Sequence, residues 1–291
     1  MALPPELTDQ IIEHIEPCDK PTLFACALAS RSLLAASRSR LLTNVSLRPG
    51  TTTDLAALIS SPLCTLPTRI QSISIGDPSA RFDSTDRECF PHVLAALTNL
   101  TTLVVSSYFK EPLPLDAVNP PRLSCLTCIE LLGIRFESVG DAVAFVCAFP
   151  GLRTLLLLGV SWRTSTILGS LAPDTTPRLP RGLRTLRLMA GCEDFVRWVL
   201  DAHCSRDTTA ANGLPPIETL TFDGVSNAET SAIYDLIGAL EESLKSLSIY
   251  FKPNQATPEV TLCSHPGLAT IPTLRIMRFS GMSIVRNSRR S

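Results

Sequence analysis

Leu152-Arg153-Thr154-Leu155-Leu156-Leu157 returns later in the same chain as Leu183-Arg184-Thr185-Leu186-Arg187-Leu188. The shared pattern, apolar-x-x-apolar-x-apolar, extends outward from this pair in both directions. Before it stand Leu42/Val45/Leu47, Ile70/Ile73/Ile75, Leu100/Leu103/Val105 and Leu126/Ile129/Leu131. After it stand Ile217/Leu220/Phe222, Leu244/Leu247/Ile249 and Leu274/Met277/Phe279. Successive units start about 26 to 34 residues apart, a period at which one small structural unit repeats. Residues two apart on a strand point to the same side, so the last two apolar positions of each unit are predicted to face inward. One unit cannot bury that face alone, but stacked units form a parallel sheet over a continuous core.

Between these strands lie stretches with helical spacing, at 54–60, 91–96, 139–149, 165–171, 193–203 and 229–244, which are predicted to cover the back of the sheet. The clearest is the last, where Ile233, Leu236, Ile237 and Leu240 recur at helical intervals and Ser226-Asn-Ala-Glu229 has the form of a capping box. The chain's 291 residues, 45% hydrophobic, are ample for a buried core. Its net charge of −1 gives no global field, so neither a nucleic acid nor an anionic membrane is expected as partner.

The opening Met1-Ala2-Leu3-Pro4-Pro5-Glu6 reaches a carboxylate too early for the apolar region of a signal peptide. The longest apolar stretches, near 142–149 and 155–160, are far short of the roughly 20 residues of a membrane span. The expectation is a soluble protein, cytoplasmic or nuclear. In that setting the ten scattered cysteines are expected to be reduced and mostly packed as small hydrophobes. Cys125 and Cys128 have zinc-ligand spacing, but no second pair accompanies them. His14, His92, His203 and His265 sit in unrelated contexts, and no phosphate-cradling glycine loop is present. Neither an enzyme nor a cofactor is expected.

The first forty residues change period. Leu7, Ile11 and Ile15 recur at i, i+4 and i+8 with Ile12 alongside, after a Pro4-Pro5 pair suited to a helix start. Pro17 and Asp19 break that helix. A second runs through Leu23, Phe24, Ala27 and Leu28, and a third from about Arg31 through Leu33, Leu34 and Leu41. Three short helices with this much apolar surface imply that something covers part of it. That cover is either a partner or the first repeat, for which the helices would serve as a terminal cap.

Leu3-Pro4-Pro5-Glu6-Leu7, Ile11-Ile12, Ile15, Asp19, Leu23 and the segment Cys26-Ala-Leu-Ala-Ser-Arg31 together resemble an F-box, over about residues 2–47. The resemblance implies docking on the Skp adaptor of a cullin-RING ubiquitin ligase, with Leu3, Pro4, Leu7, Ile11, Ile15 and Leu23 making or supporting the contact. One position departs from the family: Leu33 stands where an aromatic residue commonly follows the basic residue of the third helix. The repeats resemble the leucine-rich-repeat family over about residues 42–283, followed by a basic tail at 284–291 expected to be disordered. The family's asparagine after the strand motif is absent; Tyr108, Ile134, Val160, Gly191 and Val225 stand at such positions.

The expected fold class is thus α/β, a short helical module followed by an irregular leucine-rich-repeat solenoid with a parallel sheet. The function the resemblance implies is that of a substrate receptor in a Skp–cullin–F-box ligase. The alternative is a repeat scaffold that engages no ligase. Strand alternation places Glu130, Leu132, Leu156, Leu158, Arg187, Met189, Asp223 and Tyr250 on the open, concave face. Apolar residues on a face meant for solvent mark a candidate binding site for a protein segment. The segment 111–121 is the alternative occupant, as a lid.

Overall fold

In the first helix the proline pair and the apolar stripe act together: α1 (Pro5–Glu13) opens at Pro4 and carries proline in its first turn. Asp19 then accepts a hydrogen bond from the Thr22 N–H to cap α2 (Lys20–Ala29), and Ser30 accepts from the Ser32 N–H to cap α3 (Arg31–Thr43). The third helix packs against both of the others. Its Arg40 guanidinium donates to the carbonyls of Glu13 (3.3 Å) and Ile15 (3.4 Å), placing a cation where α1 leaves carbonyls unpaired.

This computed structural model describes residues 4–16, 19–62, 64–76, 84–106, 123–164, 177–189, 191–204, 213–226, 229–252 and 271–280. The chain divides into two compact units, Met1–Ser107 with Leu113–Thr127, and Tyr108–Pro112 with Cys128–Ser291. Leu3, the helical stretch expected at 165–171, the segment 111–121 and the tail at 284–291 lie outside the described residues.

In the first unit the helices lead into β1 (Asn44–Leu47), α4 (Thr51–Ile59), β2 (Ser72–Ile75), α5 (Ser84–Ala96) and β3 (Thr102–Ser106). The three strands pair in parallel, with Asn44 opposite Ser72 and Ser72 opposite Thr102. Leu47, Ile73, Ile75, Leu103 and Val105 are buried, while Val45, expected inside, is only half-buried on the outermost strand of this unit. Two helices start earlier than expected. The fourth begins at Thr51 rather than 54, and α5 begins at Ser84 with Pro91 inside it. Proline there sacrifices one backbone hydrogen bond, but Phe90, Val93 and Leu94 are buried and hold the helix in place.

In the second unit the main strands are β4 (Cys128–Leu132), β6 (Thr154–Leu158), β8 (Thr185–Met189), β9 (Thr219–Val225), β10 (Ser246–Phe251) and β11 (Ile276–Ser280). They lie side by side in that order, all parallel. Cys128, Thr154, Thr185, Thr219, Ser246 and Ile276 stand abreast, so the lateral register follows the repeat in the sequence. Between them run β5 (Arg135–Ser138), α6 (Val139–Cys147), β7 (Ser161–Thr164), α7 (Glu193–Cys204) and α8 (Thr230–Ala239). The protein is therefore a mixed α/β chain with a large parallel sheet, as the alternation of strand and helix periods predicts.

The core is the inward row. Ile129, Leu131, Leu155, Leu157, Leu186, Leu188, Leu220, Phe222, Leu247 and Ile249 are all buried. The last pair departs from the expectation: Met277 is 40% exposed and Phe279 half-buried, on a strand paired with β10. The final described helix is also shorter than expected, ending at Ala239, because the chain turns through Leu240 to bring Leu244 inside ahead of β10. Ser226 and Glu229 do not make the expected capping box. Glu229 is itself the N-cap residue, and its carboxylate accepts from the Ser226 N–H (2.9 Å) and hydroxyl (2.6 Å). The complete box sits at Ser138 and Asp141, opening α6.

The turns that follow the strands satisfy their backbone groups in two ways. After β4 and β6 the chain bends at Gly133 and Gly159, both at φ 65°, a conformation costly for any residue with a Cβ. The following residues form the small parallel ladder β5–β7, with Arg135 opposite Ser161 and Phe136 opposite Trp162. Ile134 and Val160, each just after the glycine, are buried. Elsewhere a carboxylate does the work. Glu229 accepts from the Gly191 N–H at 2.6 Å, Asp86 from the Gly50 N–H at 2.8 Å, and Asp194 from the Trp162 indole N–H at 2.9 Å. Each link joins a residue in or beside a helix start to a turn or short strand 32 to 38 residues earlier.

Candidate functional site

Two surfaces carry the residues singled out in the sequence, one in each unit. On α1, Thr8 and Ile12 face inward and are buried, which turns Leu7 (45% exposed) and Ile11 (46%) outward. Pro4 is exposed at the helix start. The proposed stripe is not continuous, however. The helix ends at Glu13, so Ile15 lies beyond it and is half-buried. Leu23 is fully buried, so its role is to pack the helices rather than to meet a partner.

The second helix instead exposes a pair that the sequence reading placed on it without assigning to the site. Phe24 is 56% exposed and Leu28 88% exposed, one helical turn apart. The signal was available: Leu23, Phe24, Cys26, Ala27 and Leu28 make this helix apolar nearly all round, and such a helix has more apolar surface than one packing neighbour can cover.

On the open face of the second unit the register brings the eight predicted side chains into two adjoining rows. Glu130, Leu156 and Arg187 stand abreast, and Leu132 is paired with Leu158. Met189, Asp223 and Tyr250 continue abreast across β8, β9 and β10. Leu132, Leu156 and Leu158 are half-buried, Met189 is 42% exposed and Tyr250 38%. The Met189 sulfur packs over Gly159, 4.0 Å from where a Cβ would stand.

The polar part of this face is organised around Arg187. Its Nε donates to Asp223 Oδ2 at 2.6 Å, and this hydrogen bond holds the guanidinium pKa above its ordinary value. The charges of Asp223, Tyr250 and Glu130 add to the effect, against a smaller desolvation penalty. An ion pair this exposed contributes only about 0–1 kcal/mol to stability, so its main consequence is to fix the direction of the guanidinium. The face thus offers aliphatic surface on one side and an oriented cation beside a phenol on the other.

A narrow cleft opens where β8 and β9 meet α7 and α8, lined by Met189, Cys192, Val196, Phe222, Glu229 and Ile233 among others. It holds only about 10 Å³, room for about one water-sized sphere and far below the ~300–1,000 Å³ of sites for drug-sized ligands. Burial pushes the Cys192 thiol up to about 12, and the Cys147 thiol likewise to about 12. Cys128 is pushed up to about 11, by burial first and by the Glu130 carboxylate second. Thiols of this kind are poor nucleophiles at neutral pH. Cys125 is exposed, Cys128 half-buried, and both are free thiols. Among the described residues no group of three or more His, Cys, Asp or Glu side chains gathers as a metal site, and no helix is long and apolar enough to cross a membrane.

No protein-family model and no curated protein matches the chain.

Proposed function

We propose that this protein is the substrate-recognition subunit of a Skp–cullin–F-box type ubiquitin ligase, its α1–α3 segment an F-box-like module and its sheet an irregular leucine-rich-repeat solenoid. The observation that carries the proposal is the apolar surface exposed on the first two helices. Leu7 and Ile11 lie outward on α1, and Phe24 and Leu28 on α2, and Leu7 and Ile11 are among the residues that resemble the F-box motif. Exposed aliphatic and aromatic side chains of this density favour a protein partner over solvent. A target then docks on the open face at Leu132, Leu156, Leu158, Arg187, Met189 and Tyr250, where aliphatic area adjoins residue types enriched at interfaces.

The repeat scaffold that engages no ligase is the second reading, and Leu33 in place of the family's aromatic residue is what favours it. Co-purification with the adaptor separates the two. Ile11→Asp alters an exposed position, so the variant should fold as the parent does. In complex, the added carboxylate would be buried without a partner, at a cost of several kcal/mol. The ligase reading predicts that the parent chain retains the adaptor and that Ile11→Asp loses it. A parent that never retains the adaptor leaves the scaffold.

A further inference from the structure

The residues standing immediately before β6, β8, β9, β10 and β11 are Arg153, Arg184, Glu218, Lys245 and Arg275. Their backbones are joined one to the next. The N–H of Arg184 donates to the carbonyl of Arg153, Glu218 to Arg184, Lys245 to Glu218, and Arg275 to Lys245, each at 2.8 Å. This lateral ladder sets the five side chains in one row along the N-terminal edge of the second unit's sheet. At the spacing of paired strands, ~4.8 Å, the row is about 19 Å long.

The row holds four cations and one anion. Glu218 is engaged by Lys245 at 2.8 Å and by Arg184 at 3.9 Å, and these partners hold its carboxyl below the usual range. Arg153, Lys245 and Arg275 are exposed, and Arg184 is partly so. The buried leucines beside these positions account for the strand core, and nothing in that core requires a basic residue here. The repeated Leu-Arg-Thr-Leu tetrapeptide is the trace of this row in the sequence. In the turn one tier out, the exposed Glu241 and Glu242 precede Lys245, whereas Arg153 and Arg184 are neighbours in the row with no anion between them. Positive charge is therefore densest at the Arg153–Arg184 end.

We propose that this row is a docking surface for an acidic protein segment, bound extended across the strand ends with its most acidic part over Arg153 and Arg184. Six extended residues cover about 20 Å, which matches the row. Glu218 is what selects a peptide over a nucleic acid. A peptide can place an uncharged residue over the central carboxylate, whereas a nucleic acid carries a phosphate at every step. The proposal is independent of the ligase reading, since it uses neither the helices nor the open face.

The test is fluorescence anisotropy of a fluorescein-labelled Glu-Glu-Gly-Gly-Glu-Glu peptide, uncharged where it crosses Glu218, titrated with the full chain at about 50 mM salt, where screening is weak. Saturable binding is expected, weakened about tenfold or more by the double variant Arg153→Glu, Arg275→Glu and by raising salt to about 300 mM. Glu218→Gln removes the anion and should tighten binding several-fold. The proposal is overturned if the parent shows no saturable binding, or if the double reversal leaves affinity unchanged while circular dichroism shows an intact fold. Should the reversal variant unfold, Glu218→Gln decides: unchanged or weaker binding overturns the proposal. An oligothymidylate of equal charge that binds as tightly as the peptide also overturns it, in favour of a polyanion surface.

Discussion

The strands of the second unit and the first two helices treat similar apolar residues in opposite ways. In the strands every inward pair from Ile129/Leu131 to Leu247/Ile249 is buried, and the alternate positions, the buried Ser248 apart, are left half-buried or exposed. In the helices the same kinds of side chain divide, with Ile12 and Leu23 inside while Leu7, Ile11, Phe24 and Leu28 remain out. The difference teaches where apolar surface is spent on the fold and where it is left over. A period of two gives each strand a single inner face, and a neighbouring strand in register extends it. A short helix that is apolar over more than one stripe cannot bury all of it in a three-helix cluster.

That contrast also explains what was legible beforehand. Strand positions and register follow from the period of the apolar residues, because a slip of one residue would expose Leu155 and Leu157 together. The open-face residues followed by alternation alone. The inward turn of Ile12 was hidden, since Leu7, Ile11, Ile12 and Ile15 do not say which side of α1 meets α3. The burial of Leu23 within the helices was equally hidden, since the apolar run on α2 does not say which of its residues packs inward. The carboxylate links were hidden as well: Glu229 finds Gly191 across 38 residues, a contact that no local pattern encodes. The β5–β7 ladder escaped because Arg135-Phe-Glu-Ser138 is too short and too polar to announce a strand, although the paired Leu-Gly sequences at 132–133 and 158–159 mark both turns into it.

The sharpest way to break the comparison is at the centre of the inner face. Leu186 is fully buried between Leu155 and Leu220 on the flanking strands. Leu186→Ala removes that packing and leaves a cavity, and should cost about 2–5 kcal/mol. Urea unfolding measures it, and a midpoint equal to the parent's would mean that the strand interior is not a close-packed core.

A smaller effect belongs to the turns. Glu229 is buried, and its carboxylate accepts from two backbone N–H groups, of Gly191 and Ser226. Glu229→Ala leaves both without this acceptor, at a cost of about 1–3 kcal/mol given partial access of water. Glu229→Gln keeps one carbonyl oxygen and should recover part of that loss. If Glu229→Ala is neutral by the same urea assay, the carboxylate is not what holds this turn.

The smallest effect on stability is expected where the most apolar surface is exposed. Phe24 and Leu28 lie outside the packing that Leu23 makes within the helices, so replacing both by serine removes little buried area. Surface changes of this kind usually stay within about 0.5 kcal/mol, and the exposed pair gives no reason for an exception. The urea midpoint of Phe24→Ser, Leu28→Ser should therefore match the parent's, and its solubility should rise as an apolar patch is lost. A clear loss of stability would show that these side chains are covered in the folded chain, and the distinction between the helices and the strands would fail at that point. If the midpoint holds and retention of the adaptor falls, α2 contributes to the same contact as Leu7 and Ile11. If both hold, the contact is confined to α1, and the apolar surface of α2 serves some other partner.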